Sequence, residues 1–352
     1  MVSYAQDEFF SHVGPKNTQQ LVLAGYLRGR TTSDVFRVEE APVPHLAAGC
    51  VLIRNQYLSV DPAMRTWAAA QPGRGSSLPL GTVMRAHAIG TVVSSRNPKF
   101  AEGSFVSGVF GARIWHVSDG SDVRRIWPIA PTPKTAALGV LGHVGLTAMV
   151  GLTLIAPPRV GETVLVSSAA GAVGAVAGQI ARLMGARVVG IAGGPEKTAL
   201  CRNEYGFDAA LDHRACDDLS GAIALAAPEG IDVFFDNVGG RFLDAALPCM
   251  NSRGRVAICG TIGIDNSKPG LGPRLERTIL ERELSVRGFL QSRYESESEL
   301  LLPALKSWFD AGDLRLREDI TAGLESIPAA LEGLLMGSNF GKVLIDITKE
   351  EK

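Results

Sequence analysis

Cysteine is scarce in this 352-residue chain, and the few present form no pattern. Cys50, Cys201, Cys216, Cys249 and Cys259 are odd in number and include no C-x-x-C pair. Neither a disulfide framework nor a four-cysteine zinc lobe is expected, and a reducing cytoplasm suits them. The six histidines, at positions 12, 45, 87, 116, 143 and 213, show no ligand spacing, so no metal is expected either. Excess charge is missing too: a net charge of −1 gives no footing for a nucleic-acid or anionic-membrane partner. The apolar stretch from Val140 to Ile155 is short and broken by His143 and by glycines, which argues against a membrane span. The opening MVSYAQDEFF carries acids where a secretory leader would carry a basic segment. What remains is an ordinary globular composition, 46% hydrophobic and 20% charged, long enough for two cores.

One more absence concerns a single position. Thr163 to Lys197 reads TVLVSSAAGAVGAVAGQIARLMGARVVGIAGGPEK: strand, glycine-rich turn, helix, strand, second turn. Val164–Val166 is a short apolar run of the kind buried in a parallel sheet. Ala169-x-Gly171-x-x-Gly174 follows, an alanine standing for the first glycine of the dinucleotide fingerprint. A helix from about Ala172 to Met184 would aim free N–H groups and its positive dipole end at a pyrophosphate, and Gly185 would stop it. The second strand, Arg187–Ile191, ends without the acid that would bind a ribose 2′-hydroxyl and repel a 2′-phosphate. Ala192-Gly193-Gly194-Pro195 stands there instead, and Lys197 can serve a phosphate as a point charge. The cofactor expected is therefore NADPH/NADP⁺. The plainer alternatives are a solvated surface lysine and a glycine-rich helix of another α/β fold.

Around this unit the chain changes character. Up to about residue 133 it offers short strands punctuated by glycine and proline, among them Gln20–Leu23, Cys50–Asn55, Gly90–Ser94 and Phe105–Val109. From about Lys134 helices and strands alternate. Strands near Ala209–Leu211, Asp232–Asn237, Arg255–Cys259 and Leu284–Leu290 complete a set of six, the number in two mononucleotide-binding halves. Lys342–Ile347 is a last strand with no helix after it, free to return to the first domain. The residues thus predict an NADPH-binding α/β domain set into a β-rich one, with the cleft between them as the default site.

YLSVDPAMR (Tyr57–Arg65), LGHVGLTAMVGL (Leu141–Leu152), the SSAAGAVG turn, GIAGGPEK, FFDNVGG (Phe234–Gly240), RVAICG (Arg255–Gly260) and GSNFGK (Gly337–Lys342) follow one another along nearly the whole chain. With these motifs the chain resembles the medium-chain dehydrogenase/reductases. Within them it is similar to the zinc-independent alkenal and enone double-bond reductases, the branch of the leukotriene B4 12-hydroxydehydrogenase/prostaglandin reductases. The resemblance implies a Rossmann-type doubly wound parallel sheet over 134–310 and a GroES-like β-barrel catalytic domain from 1–133 and 311–352. It implies a homodimer, and a small α,β-unsaturated carbonyl substrate whose β-carbon receives the hydride. The residues it assigns to the cofactor are Ala169, Gly171, Val173 and Gly174 at the pyrophosphate, and Gly193, Lys197 and His213 at the 2′-phosphate. It also assigns Asn237, Cys259 and Asn339 to the cofactor, with Phe289 and Leu290 by the nicotinamide.

The pocket departs from that family. Asp265 stands where many relatives carry a tyrosine near the substrate carbonyl, Ala63 and Met149 replace two more tyrosines, His143 replaces a methionine, and Trp67 is added. An ionised Asp265 would repel the developing enolate and would help only if protonated. The candidate proton donors are His143, Tyr57 and a cofactor ribose hydroxyl, with Asp265 entering only in its acid form. Ala63, Arg65, Trp67, Met149, Tyr57 and Asp265 would line the substrate pocket, unless Arg65 serves a structural salt bridge. Two alternatives stay open: a zinc-free quinone or carbonyl reductase, and a non-catalytic NADPH-binding protein.

Overall fold

The computed structural model describes residues 14–28, 34–70, 77–125, 133–264 and 272–349. Six parallel strands form one sheet, ordered Ala209–Asp212, Arg187–Ala192, Thr163–Ser167, Ile231–Asp236, Met250–Ile258, Ser285–Gly288. In chain order this is 3-2-1-4-5-6, the Rossmann arrangement, and the winding reverses beside Thr163–Ser167. Every residue of that strand is buried, as expected where helices cover both faces. Helix Ala172–Leu183 buries Gly174, Ala175, Ala177, Gly178 and Ala181. These small residues let it lie close to the sheet. A methyl built on Gly178 would run into the Phe207 ring. Gly185, at φ 87°, follows the end of this helix.

The second large sheet has seven strands and is assembled from both ends of the chain. Val51–Ser59 lies at its centre, paired antiparallel with Ala88–Ser95, Trp115–Ser118 and Lys342–Asp346. The C-terminal strand does return to the first domain, placing Leu344 opposite Ser59 and Asp346 opposite Tyr57. Leu305 and Leu314 still pack in the core of the parallel sheet, whereas Leu324, Ile327 and Leu331 pack with the β-rich core. The helix carrying the last two, Ile327–Met336, went unread in the sequence. No helix among the described residues is long and apolar enough to cross a membrane.

Two contacts fix how the halves face each other. The Gly341 N–H donates to the Ala170 carbonyl at 3.0 Å, so the segment leading into the last strand docks on the glycine-rich turn. Arg65, from the short helix Ala63–Trp67, donates to the carbonyls of Ile262 (2.9 Å), Ile264 (2.7 Å) and Thr261 (3.4 Å). Between these two ties the strand ends of the Rossmann sheet open into a cleft.

Candidate active site

The cleft holds about 840 Å³ and runs from Gly193 past the glycine turn to Trp67. Its floor is the turn Ser168–Gly174. A methyl on Gly174 would strike the Ser168 carbonyl oxygen, so the third glycine is required for close packing of helix on strand. The left-handed position in this turn falls on Ser168 (φ 52°), not on Ala169. Ala169 is fully buried opposite Gly190, where a Cβ would come within 2.8 Å of its own. Alanine is therefore accommodated in place of the first glycine because Gly190 leaves room for its methyl. Gly171 caps helix Ala172–Leu183 with no side-chain partner, which leaves the first N–H groups free for an anion. Asp236 braces the opposite wall. Its buried carboxylate accepts from Ser167 Oγ (2.7 Å) and from the Val238 and Gly239 amides. Asn237 Nδ2 donates to the Ser167 carbonyl at 2.8 Å.

At one end of the cleft four basic side chains surround Gly193. Lys197 Nζ lies 2.9 Å from the Gly337 carbonyl, and burial, then the Arg214 charge, lower its pKa. Arg214 reaches the same carbonyl at 3.3 Å. Arg241 Nη2 lies 2.9 Å from His213 Nδ1, and a guanidinium can only donate. His213 therefore accepts at Nδ1 and carries its proton on Nε2, the atom 3.0 Å from where a Cβ of Gly193 would sit. Burial and the Arg241 charge lower the His213 pKa, which favours this neutral form. The cluster gathers three cations and a neutral imidazole at the strand end that lacks the ribose-binding acid.

The other end is polar in a way the sequence did not reveal. His143 opens helix His143–Val150 and stacks on His87, ring centroids 4.2 Å apart and planes 8° from parallel. Its Nε2 lies 3.2 Å from Asp61 Oδ1. Asp61 also accepts from Ser59 Oγ (2.5 Å) and from Lys342 Nζ (2.9 Å), and Lys342 is only 2% exposed. Burial alone would raise the Asp61 pKa, but Lys342 first and His143 next hold it well below the usual carboxylate range. Burial, then the neighbouring His143, push His87 down to about 3, so it is neutral at ordinary pH. Donor atoms of Asp61, His87 and His143 lie within 4.8 Å of one another, the donor types of a divalent-metal site. A metal does not fit as the group stands, because the carboxylate is already bonded to an ammonium that the metal would have to displace. Lys342 supplies the positive charge in this cluster.

Most of the expected residues come together. Gly171, Val173, Gly174, Gly193, Lys197, His213, Asn237, Cys259, Phe289, Leu290 and Asn339 line the cleft, as do Ala63, Arg65, Trp67 and His143. Ala169 lies beneath its floor. Tyr57 is not among the residues that line it: its side chain packs with Ile89, Leu138 and Leu344, which removes it as a proton donor. Met149 is buried in the Rossmann core, and Thr147, one turn from His143, lines the cleft in its place. Arg65 ties down the 261–264 segment through its hydrogen bonds to three carbonyls. Asp265 lies outside the described residues. Sequence reasoning missed Arg214, Arg241, His87, Asp61 and Lys342. Arg241 follows directly on FFDNVGG and Arg214 on His213, so a search for cations beside those motifs would have found both.

Residues 19–126 match the family described as the N-terminal domain of oxidoreductase, and residues 172–307 that described as zinc-binding dehydrogenase. The NADPH-dependent curcumin reductase of Escherichia coli is 37% identical over 96% of this chain and 99% of its own. Bovine prostaglandin reductase 1 is 40% identical over 90% of this chain and 95% of its own. The crystal structure of CurA from Vibrio vulnificus in complex with NADPH superposes with a TM-score of 0.87 at 33% identity, covering 94% of this chain and 99% of that one. A Rossmann sheet, a β-rich partner domain, a glycine turn and these full-length likenesses agree: the chain belongs to the medium-chain dehydrogenase/reductase family, in the branch of the NADP-dependent double-bond reductases.

Proposed function

We propose that the chain reduces the carbon–carbon double bond of α,β-unsaturated aldehydes and ketones with NADPH, without a metal. The observation that carries this reading is one cleft with three cations and a neutral imidazole at one end and a histidine held by a carboxylate at the other. Bound NADPH would supply the hydride that goes to the β-carbon. The chain's own residues do the rest. The Gly171–Gly174 helix start would hold the pyrophosphate, and Lys197, His213, Arg214 and Arg241 the 2′-phosphate. Asn237, Asn339, Cys259, Phe289 and Leu290 line the stretch between. Ala63, Trp67, Thr147 and Ile262 would pack the substrate, and His143 would serve its carbonyl oxygen and α-carbon as hydrogen-bond and proton donor.

The test is NADPH oxidation with a panel of alkenals, enones, quinones and simple ketones. Turnover of alkenals and enones with a saturated-bond product supports the reading. Turnover of quinones or ketones alone replaces it, and tight NADPH binding with no turnover would indicate a binding protein.

We also propose a homodimer in the cytoplasm. Among the described residues, strand Ser285–Gly288 pairs only with Met250–Ile258, and all four of its residues are exposed. Leu290 (57% exposed) and Leu280 (77%) flank it, giving an unpaired sheet edge with apolar neighbours. Sedimentation of the wild type and of a Val286→Lys variant tests the dimer, with dissociation expected in the variant. Five free cysteines suit a reducing compartment. The division into 134–310 and the remainder stays a proposal, which limited proteolysis near residues 133 and 311 tests.

A further inference from the structure

We infer that Asp61, held by Lys342 and Ser59, is a positioning residue that fixes the tautomer and aim of His143 as proton donor. This deepens the reductase reading above and rests on it. Each contact in the cluster has one available sense. Lys342 has three donors and three acceptors around it: Ser59 Oγ (2.5 Å), Asp61 Oδ1 (2.9 Å) and the Val60 carbonyl (3.2 Å). Ser59 accepts from Lys342 and must therefore donate its own proton to Asp61 Oδ2. Asp61 is left as a carboxylate that can only accept, so the proton in the contact with His143 belongs to Nε2. Nδ1 is then the nitrogen that can serve the cleft. The stacked His87 ring fixes the face of the imidazole.

The proton step balances as follows. In the imidazolium form the Nδ1–H bond breaks with its electron pair staying on nitrogen. The enolate's carbon–carbon pair takes the proton and forms the C–H bond at the α-carbon. His143 is left neutral with Nε2–H still on Asp61, and a solvent proton restores it. Asp61 does not exchange a proton in this cycle, the division of labour in a carboxylate–histidine pair.

Two variants separate the parts of the cluster. Asp61→Asn presents an amide that can donate as well as accept, so Nε2 no longer has to carry the proton. Lys342→Met leaves the Asp61 carboxylate opposite Nε2 in place. A cluster that merely braces the fold would not tie kcat to the tautomer while NADPH affinity and Tm stay unchanged.

The experiment is long-range ¹H–¹⁵N correlation of the imidazole nitrogens in the unliganded protein, with NADPH affinity and thermal unfolding as controls. We expect neutral His143 protonated on Nε2 in the wild type and in Lys342→Met, and the Nδ1–H form appearing in Asp61→Asn. A loss in kcat of about 100-fold in His143→Gln and at least about tenfold in Asp61→Asn is expected, with NADPH affinity unchanged. An Nδ1–H tautomer in the wild type, or an unchanged tautomer and kcat in Asp61→Asn, overturns the inference. If Asp61→Asn does not fold, the wild-type tautomer and Lys342→Met still decide it. Failure to reduce any enone would overturn the reductase reading, while the tautomer would still report on the positioning role.

Discussion

Lys197→Ala is the sharpest test of cofactor choice. The Lys197 ammonium is half-buried, lies 5.3 Å from the centre of the Phe340 ring and bonds the Gly337 carbonyl at 2.9 Å. A hydrogen bond to a charged group contributes about 1.5–3 kcal/mol, roughly a 10- to 150-fold change in affinity. The Gly337 contact must be given up or shared when a phosphate arrives, which offsets part of this, so the lower portion of the range is expected: about 10- to 30-fold weaker NADPH binding. NADH lacks the 2′-phosphate and should change by less than about twofold. Arg214 and Arg241 remain in the variant, but both are exposed and screened, so the residual preference should fade as salt rises. Calorimetric titration of both coenzymes at low and high ionic strength measures this. Equal weakening of NADPH and NADH, or none in either, refutes the 2′-phosphate role.

Three other perturbations follow from the same geometry. Gly174→Ala would drive a methyl into the Ser168 carbonyl, so helix Ala172–Leu183 must move off the sheet. Loss of measurable NADPH binding and a lower Tm are expected, and an unchanged affinity would remove the close-packing argument. Burial, then the Asp236 charge, push the Cys259 thiol up to about 12, so it stays protonated and a poor nucleophile although it lines the cleft. Mass spectrometry after iodoacetamide at pH 8 should find Cys259 unmodified in the folded protein, and rapid labelling there would contradict this. His87, held down to about 3 in the fold against an ordinary 6.5, binds fewer protons folded than unfolded across that window. Stability must therefore fall as pH drops from about 6.5 towards 3. The depressed Asp61 pKa acts in the same direction as acid protonates it. Between pH 7 and 4.5 the Tm of His87→Gln should fall less than that of the wild type, and an equal fall would count against a neutral buried His87.

The cofactor half of the cleft was legible because it is local. Strand, turn, helix and second strand lie within one stretch from Thr163 to Lys197, and each part carries its own signal: an apolar run, glycines at fixed spacing, a stop at Gly185, a missing acid. The six-strand sheet followed from strands of ordinary length separated by helices. Even the departure at Ala169 has a physical reason that sequence alone could not supply. It depends on Gly190, on the neighbouring strand, leaving space for the methyl, and on Ser168 taking the left-handed conformation.

The substrate half was not legible, for the opposite reason. Ser59, Asp61, His87, His143 and Lys342 come from four segments, and 281 residues separate Asp61 from the lysine that holds it. No spacing rule links them, so the histidines looked scattered, and Asp61 stood as one residue of the YLSVDPAMR motif. What brings them together is the return of the C-terminal strand to Val51–Ser59, which sets Leu344 opposite Ser59 and carries Lys342 to the cleft. The same segment docks Gly341 on Ala170 of the glycine turn. At adjacent positions on one strand entry, Gly341 and Lys342, the chain touches the cofactor floor and secures the carboxylate that holds His143. A shift of that strand would disturb both ends of the reaction at once. Substitutions at Gly341, where φ is 69° and a Cβ would meet the Arg317 backbone, should therefore reduce cofactor affinity and turnover together.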